Sequence, residues 1–202
     1  MEFLSLIHDL TKEFEQNVVV RDNGTLLLGP DTVPRCQHML FPPLKKEYLE
    51  RNLTLQYNGH FPKEYLYLLQ YLNGANLCGA RLKMMEFTVA HYFLIIFGLP
   101  IIPPYARHPD REEPYDLRVE NLGHHPELPS SWLKCGTYKR DYDFSVQYEI
   151  FIDSKTDQVY ACAKGQKEIV DSWPNLDVCL CSIYESFSDR KYEYEYTPQT
   201  NY

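Results

Sequence analysis

The residue types that bind metals or act as nucleophiles are present, but their spacing suits neither role. Cys179 and Cys181 are the closest pair of cysteines, and residues two apart on a helix point about 200° away from each other. His124 and His125 follow Glu120 in a proline-rich stretch, and isolated histidines in loops are usually solvated. The chain contains no C-x-x-C or H-E-x-x-H metal motif, no nucleophile elbow and no glycine-rich phosphate loop. The sequence therefore predicts a protein that is not an enzyme, with no catalytic residues, no metal and no cofactor.

The stretch from Tyr138 to Glu149 offers the chemistry of binding instead. It mixes carboxylates with tyrosines. Protein interfaces favour tyrosine, and carboxylates steer a basic partner toward the surface that carries them. The alternative is that the aspartates are solvated loop residues and the tyrosines are half-buried in the core. The candidate partner-binding residues are Asp141, Tyr142, Asp143, Tyr148 and Glu149.

The bulk composition is typical of one globular domain with an acidic surface. The chain has 202 residues, of which 44% are hydrophobic, and its net charge is −8. A chain of this length buries a sizeable core. A negative surface repels nucleic acid and anionic membranes, whereas it suits a basic protein. We therefore expect a protein partner, with no binding to nucleic acid or to a membrane.

The chain shows neither a signal peptide nor a membrane span. Its start carries an acidic residue at position 2 and lacks the basic n-region of a signal peptide. The most apolar run, residues 87–102, contains Gly98 and Pro100 and is shorter than the ~20 residues of a spanning helix. The sequence therefore predicts a cytoplasmic protein, buried strands in this run, and six reduced cysteines.

The first part of the chain is predicted to contain a helix and a hairpin. Apolar residues at helical spacing indicate a helix from Phe3 to Phe14. Two β-prone runs on either side of Asp22-Asn23-Gly24 indicate a hairpin. The predicted division of the chain is an N-terminal extension of residues 1–41, a main domain of residues 42–188 and a C-terminal tail of residues 189–202.

Two helices are predicted to follow at the start of the main domain. The first ends at Asn58-Gly59, and the second is the stretch FPKEYLYLLQYLNGANL, residues 61–77. Pro62 suits the first turn of this second helix, where its missing N–H costs nothing. Gly74 is expected to take the left-handed conformation that closes a helix. The apolar stripe of the second helix consists of Phe61, Tyr65, Leu68, Leu69 and Leu72.

The second part of the chain is predicted to be mostly β. Strand-like segments lie at residues 87–89 and 92–97, before a proline-rich irregular excursion that reaches Pro129. WLKCGT is predicted as a strand, and a hairpin is predicted around the turn Ser154–Asp157. A last helix is expected in WPNLDVCLCSIYESF, with Pro174 in its first turn. The tail alternates Tyr with charged residues, as an edge strand does, although a disordered tail fits the same pattern.

The order of these parts resembles the SUKH superfamily, the Smi–Knr-like proteins. The second helix resembles the family pattern L-P-x-D/E-Y-x-x-F/L-L-x-x-x-N-G-G, and IIFGLP, YDLRVENLGHHPELPSSWLKCGT and YEIFIDSKTDQVYACA resemble the segments that follow it. The resemblance covers about Pro42 to Ser188. Ala75 replaces the second glycine of the pattern, and Gln158 replaces a glycine before Val-Tyr, with Asp157 expected to take the turn. The matching positions of the second helix are Phe61, Pro62, Glu64, Tyr65, Leu68, Leu69, Asn73 and Gly74.

This resemblance implies an α+β domain, with a mixed or largely antiparallel sheet packed with helices and no active site. It also implies a cytoplasmic immunity protein of bacterial type, which binds and neutralises a cognate polymorphic or contact-dependent toxin domain, often a nuclease. Two other functions stay open at this point. One is a non-catalytic regulatory or scaffold module of the Smi–Knr type. The other is an enzyme that uses His108, His124 or His125 with carboxylates of the excursion.

Overall fold

The protein is an α+β structure built on one large antiparallel sheet. The computed structural model describes residues 1–22, 24–29, 38–49, 61–78, 81–84, 87–90, 93–99, 125, 127–139 and 146–188. The helices are α1 (Glu2–Glu13), α2 (Lys63–Leu69) and α3 (Leu176–Ser188), with a 3-10 turn at Glu15–Asn17 and helical residues at 46–49.

Nine strands form the large sheet, and two more form a separate hairpin. The strands are β1 (Val18–Val20), β2 (Leu26–Leu28), β3 (His38–Leu40), β4 (Ala75–Cys78), β5 (Arg81–Met84), β6 (Phe87–Ala90), β7 (Phe93–Ile96), β8 (Trp132–Lys139), β9 (Tyr148–Asp153), β10 (Val159–Ala163) and β11 (Ile169–Trp173). The order across the large sheet is β1-β2-β3-β4-β7-β8-β9-β10-β11, and every pair in it is antiparallel. Among the described residues, β5 pairs only with β6.

Helices α1, α2 and α3 share one core cluster with alternate residues of the strands, so they pack against the sheet. Helix α3 contacts both α1 and α2, so it lies in the middle of the helical layer. The buried core joins residues from all three helices to residues from both halves of the sheet. Strand β3, from the predicted extension of residues 1–41, pairs with β4 of the predicted main domain in the same sheet. Core side chains at the centre include Phe3, Leu28, Leu69, Leu94, Ile152 and Leu180.

Several predicted elements are confirmed in their position and phase. Helix α1 buries Phe3, Ile7 and Leu10, and the hairpin of β1 and β2 follows it. Strands β6, β7 and β8 lie where strands were expected, as does the hairpin of β9 and β10. Asp157 has a φ of 59° and takes the turn in place of a glycine. The predicted helix before Asn58 has residues 46–49 in helical conformation, and its remainder lies outside the described residues, as do the proline-rich residues 100–124 and the tail 189–202.

Three local predictions differ from the structure. Helix α2 ends at Leu69, so Gly74, although its φ is 94°, leads into strand β4 rather than closing the helix. Pro174 precedes helix α3 instead of occupying its first turn, because Asn175 accepts the N–H of Val178 through its side chain. Strands β3, β4, β5 and β11 were not predicted.

Candidate partner-binding surface

The polar residues of the 61–77 stretch are engaged inside the protein. Tyr65 is fully buried, and its hydroxyl group donates to the carbonyl oxygen of Phe97, with the carbonyl oxygen of Cys135 at 3.3 Å. A buried hydroxyl without a partner would be costly. Tyr65 therefore joins helix α2 to the end of β7 and to β8 through the core.

Asn73 and Gly74 form a second internal connection. The side chain of Asn73 donates to the carbonyl oxygen of Leu99 at 3.0 Å and accepts the N–H of Leu99 at 2.9 Å, and Asn73 is fully buried. Gly74 lies so close to β7 that a Cβ atom there would be 2.7 Å from the carbonyl oxygen of Ile96. Its positive φ and this close approach both require glycine. The Asn-Gly pair therefore fixes residues 97–99 against the sheet.

Carboxylates connect the N-termini of the helices. The side chain of Glu64 accepts the N–H groups of Leu176 and Asp177 at 2.9 and 3.4 Å, at the start of α3. The side chain of Asp177 in turn accepts the N–H groups of Glu2 and Phe3 at 2.8 and 3.0 Å, at the start of α1. These N–H groups have no partner within their own helices, and the positive end of the helix dipole favours a carboxylate there.

The candidate residues of the 138–149 stretch are placed differently from one another. Asp141, Tyr142 and Asp143 lie outside the described residues. Glu149 is 5% exposed, and its carboxylate pairs with the ammonium group of Lys134 at 2.6 Å. Because this charge is buried and paired, Glu149 is not an exposed steering group.

Tyr148 belongs to an aromatic cluster on the helical side of the sheet. It is half-buried, and its ring stacks on that of the buried Tyr138 with 5.0 Å between centroids. Trp173 meets Tyr138 edge-on at 6.4 Å, and the hydroxyl group of Tyr138 donates to a carboxylate oxygen of Asp171 at 3.2 Å. Tyr148 thus packs against the core, while part of its side chain stays exposed to solvent.

The most exposed aromatic surface of the described residues lies on α2 and just beyond its end. Tyr67 and Tyr71 are 43% and 55% exposed, and their ring centroids are 4.9 Å apart. The hydroxyl group of Tyr67 donates to that of Tyr71 at 3.4 Å, and this hydrogen bond raises the pKa of Tyr67. Sequence reasoning missed this pair as a site. Its signal was present, because both tyrosines lie off the apolar stripe of the helix.

Four cysteines whose side chains the structure describes have the properties of core thiols. Cys135, Cys162, Cys179 and Cys181 are free and buried. Burial raises the pKa of Cys135 to about 12 and raises the pKa of Cys179 well above its usual range. Burial also raises the pKa of Cys181 to about 11, with further contributions from nearby carboxylates. A thiol with a raised pKa stays protonated and is a poor nucleophile.

The structure gives two further findings on chemistry. Within the described residues, no three His, Cys, Asp or Glu side chains group closely enough to hold a metal ion, and no helix has the length and apolar character to cross a membrane. His125 is half-buried, meets the ring of Phe151 edge-on and accepts the N–H of Glu127 through Nδ1 at 3.2 Å. His108 and His124 lie outside the described residues.

A scan against protein-family models, a search of curated proteins and a search of solved structures each returned no match for this chain.

Proposed function

We propose that the protein is a non-catalytic immunity protein with a SUKH-like fold, which binds and neutralises a toxin domain of the polymorphic or contact-dependent kind. The proposed toxin domain is basic and is a nuclease in many systems of the family that the sequence resembles. The proposed site of action is the cytoplasm, where such a toxin would meet its target.

One observation carries this proposal: the polar groups of the motif on which the resemblance rests bond the protein's own backbone. Glu64, Tyr65 and Asn73 each accept from or donate to main-chain groups of another element. A catalytic acid or base must instead be able to reach a substrate. These internal contacts favour a structural role for the motif and a function through protein binding rather than catalysis.

The charge of the chain supports a basic partner. A net charge of −8 produces a negative potential that accelerates encounters with a positively charged protein. Nuclease domains bind a polyanionic substrate, so a basic surface is expected on them. An acidic protein that covers such a surface would compete directly with the substrate.

The proposed contact surface is the connection between β8 and β9 together with the first residue of β9. Asp141, Tyr142 and Asp143 belong to this connection, and Tyr148 begins β9. Glu149 supports the strand from within through its pair with Lys134. The proposed contact surface thus reduces to the two aspartates and two tyrosines.

The test is the binding kinetics of the toxin domain encoded beside the gene, measured at two salt concentrations. The double variant Asp141→Lys with Asp143→Lys should slow association by about tenfold and flatten its salt dependence, since exposed charges act mainly through steering. Glu168→Lys with Glu15→Lys is the matched control, because it makes the same charge change at two exposed positions elsewhere.

Tyr142→Ala should mainly speed dissociation, by about tenfold or more if this tyrosine is a hot spot. Wild-type association and dissociation rates in both the aspartate and the tyrosine variants would remove this surface from the proposal. An equal slowing of association in the Glu168 and Glu15 control would show that net charge alone, rather than this surface, steers the partner.

A further inference from the structure

The outer face of the helical layer combines exposed apolar groups with a separation of charge. Helix α3 lies between α1 and α2, and its exposed side carries Val178, which is 45% exposed. Tyr67 follows one turn after Glu64, whose side chain reaches the start of α3, and Tyr71 lies against Tyr67 just beyond the end of α2. Three exposed large apolar side chains therefore lie near the middle of this layer.

Carboxylates flank this apolar centre on the α1 side. Glu2, Asp9 and Glu13 are exposed and share one flank of α1. The negative charge of Glu2 contributes to the raised pKa of Cys181 in α3, and that of Glu13 contributes to the raised pKa of Tyr184, after the larger effect of burial. This flank of α1 therefore faces the seam with α3, close to the centre of the layer.

Lysines flank the same centre on the α2 side. Lys63 is exposed and lies one turn before Tyr67 on the outer side of the helix. The N–H of Leu44 donates to the carbonyl oxygen of Leu69 at 3.1 Å. This bond brings the exposed residues 45–47, with two lysines and one glutamate, beside the end of α2. Glu64 does not oppose this positive charge at the surface, since it caps α3.

From this pattern we infer that the helical layer is a homodimer interface, whose occupant is the helical layer of a second copy of this chain. A two-fold axis near α3 would place the acidic flank of α1 against the Lys63 side of the other copy's α2, and the reverse contact would form at the same time. The tyrosines and Val178 would form the apolar centre inside this ring of charges. That arrangement matches the apolar core and polar rim of protein interfaces.

The face is large enough for a dimer at the lower end of the usual size range. Three helices about 10 Å apart and up to about 20 Å long present a footprint of roughly 20 by 30 Å, or about 600 Å². Specific interfaces bury about 600–1,000 Å² of accessible surface on each partner. The overall negative charge of the two copies opposes association weakly at physiological salt, because charges more than about 8 Å apart are largely screened.

Sedimentation equilibrium of the wild-type protein and of matched charge variants tests this inference. The wild type should be dimeric at about 100 μM. Lys63→Glu should raise the dimer dissociation constant at least about tenfold, because it places like charges opposite each other at both contacts. Asp9→Lys with Glu13→Lys should do the same from the other side. Circular dichroism of each variant checks that the fold is kept.

An equimolar mixture of these two variants gives the decisive result. In the mixed pair, the glutamate introduced into one chain would meet the lysines introduced into the other. The native carboxylates would meet the native Lys63 at the second contact, so both contacts become attractive. The mixture should therefore dimerise within about threefold of the wild-type affinity, while each variant alone stays monomeric. Ile169→Ser with Val170→Ser removes exposed apolar groups from the β11 edge and should leave the dimer intact.

Three results would overturn the inference. A wild type that is monomeric at about 100 μM has no such interface. A mixture that stays monomeric, or single variants that dimerise like the wild type, would show that these charges do not meet. A dimer that dissociates in the Ile169 and Val170 variant would place the interface at the sheet edge. The immunity function is independent of all three outcomes.

Discussion

The inner and outer sides of helix α2 (Lys63–Leu69) are built for different purposes, although they belong to the same short element. The inner side buries Tyr65, Leu68 and Leu69 completely. The outer side exposes Tyr67, and Tyr71 extends this exposed surface just beyond the end of the helix. The inner side makes hydrogen bonds and apolar contacts with the sheet, whereas the hydrogen bond between Tyr67 and Tyr71 joins the outer pair to each other.

The residues that define the sequence motif are therefore buried, whereas the residues that can contact a partner lie on the outer side. Asn73 and Gly74, which continue the motif, have structural roles. The side chain of Asn73 bonds both backbone groups of Leu99, an arrangement that we call the clasp, and Gly74 lies too close to the backbone of β7 for any side chain. Tyr67 and Tyr71 meet no such geometric demand. The comparison predicts that inner substitutions change stability and that outer substitutions change association.

The largest expected effect is on the inner side, at Leu69. Leu69→Ala should lower the free energy of unfolding by ~2–5 kcal/mol, since it removes a fully buried side chain and leaves a cavity. Urea denaturation followed by circular dichroism measures this value. A loss under ~0.5 kcal/mol would mean that Leu69 is exposed and that the phase of the helix is wrong.

The next effect concerns the clasp at Asn73. Asn73→Ala should cost about 2–4 kcal/mol, because it leaves the buried N–H and carbonyl groups of Leu99 without their partner. Asn76→Ala is a useful control, since Asn76 lies further along in β4 and is only half-buried. Equal losses in the two variants would contradict the special role of the clasp.

A smaller effect is expected at the helix cap. Glu64→Ala should cost about 0.5–2 kcal/mol, the range found for the loss of a side chain that caps a helix N-terminus. Lys63→Ala, at the adjacent exposed position, should change stability by less than about 0.5 kcal/mol. Urea titrations of both variants under identical conditions measure the two losses of stability. A larger loss in Lys63→Ala than in Glu64→Ala would contradict the capping role of Glu64.

The smallest effect on stability is expected on the outer side. Tyr67→Ala with Tyr71→Ala should change the free energy of unfolding by less than about 0.5 kcal/mol per residue, because the two residues are 43% and 55% exposed and lie outside the core. The same variant should weaken association in sedimentation equilibrium. A decrease of several kcal/mol in the free energy of unfolding of the monomer would contradict the distinction between the inner and outer sides of α2.

Local pattern was enough to predict much of the fold. The helical period located α1 and α2 with the correct buried faces, and the polar turn at Ser154–Asp157 located the hairpin of β9 and β10. Strand β4 was missed because Ala75 follows directly on a helix stop signal. Strand β11 was missed because it exposes Ile169 and Val170 and lacks clear alternation.

The site was harder to predict because its geometry depends on distant residues. Glu149 looked like a surface carboxylate, and only the register of β8 and β9 brings it to Lys134. The capping role of Glu64 depends on a contact with Leu176, 112 positions further along the chain. A single sequence contains no signal for either contact.

The central claim, that this protein acts by binding and neutralising a toxin domain, is tested most directly by a titration of toxin activity. The toxin domain encoded beside the gene would be held at fixed concentration, with its nucleic-acid cleavage or other activity followed while this protein is added. We predict that activity falls in proportion to the added protein and vanishes at about one equivalent, as tight binding at an active surface requires. Unchanged activity in the presence of roughly a tenfold excess of folded protein would contradict the claim.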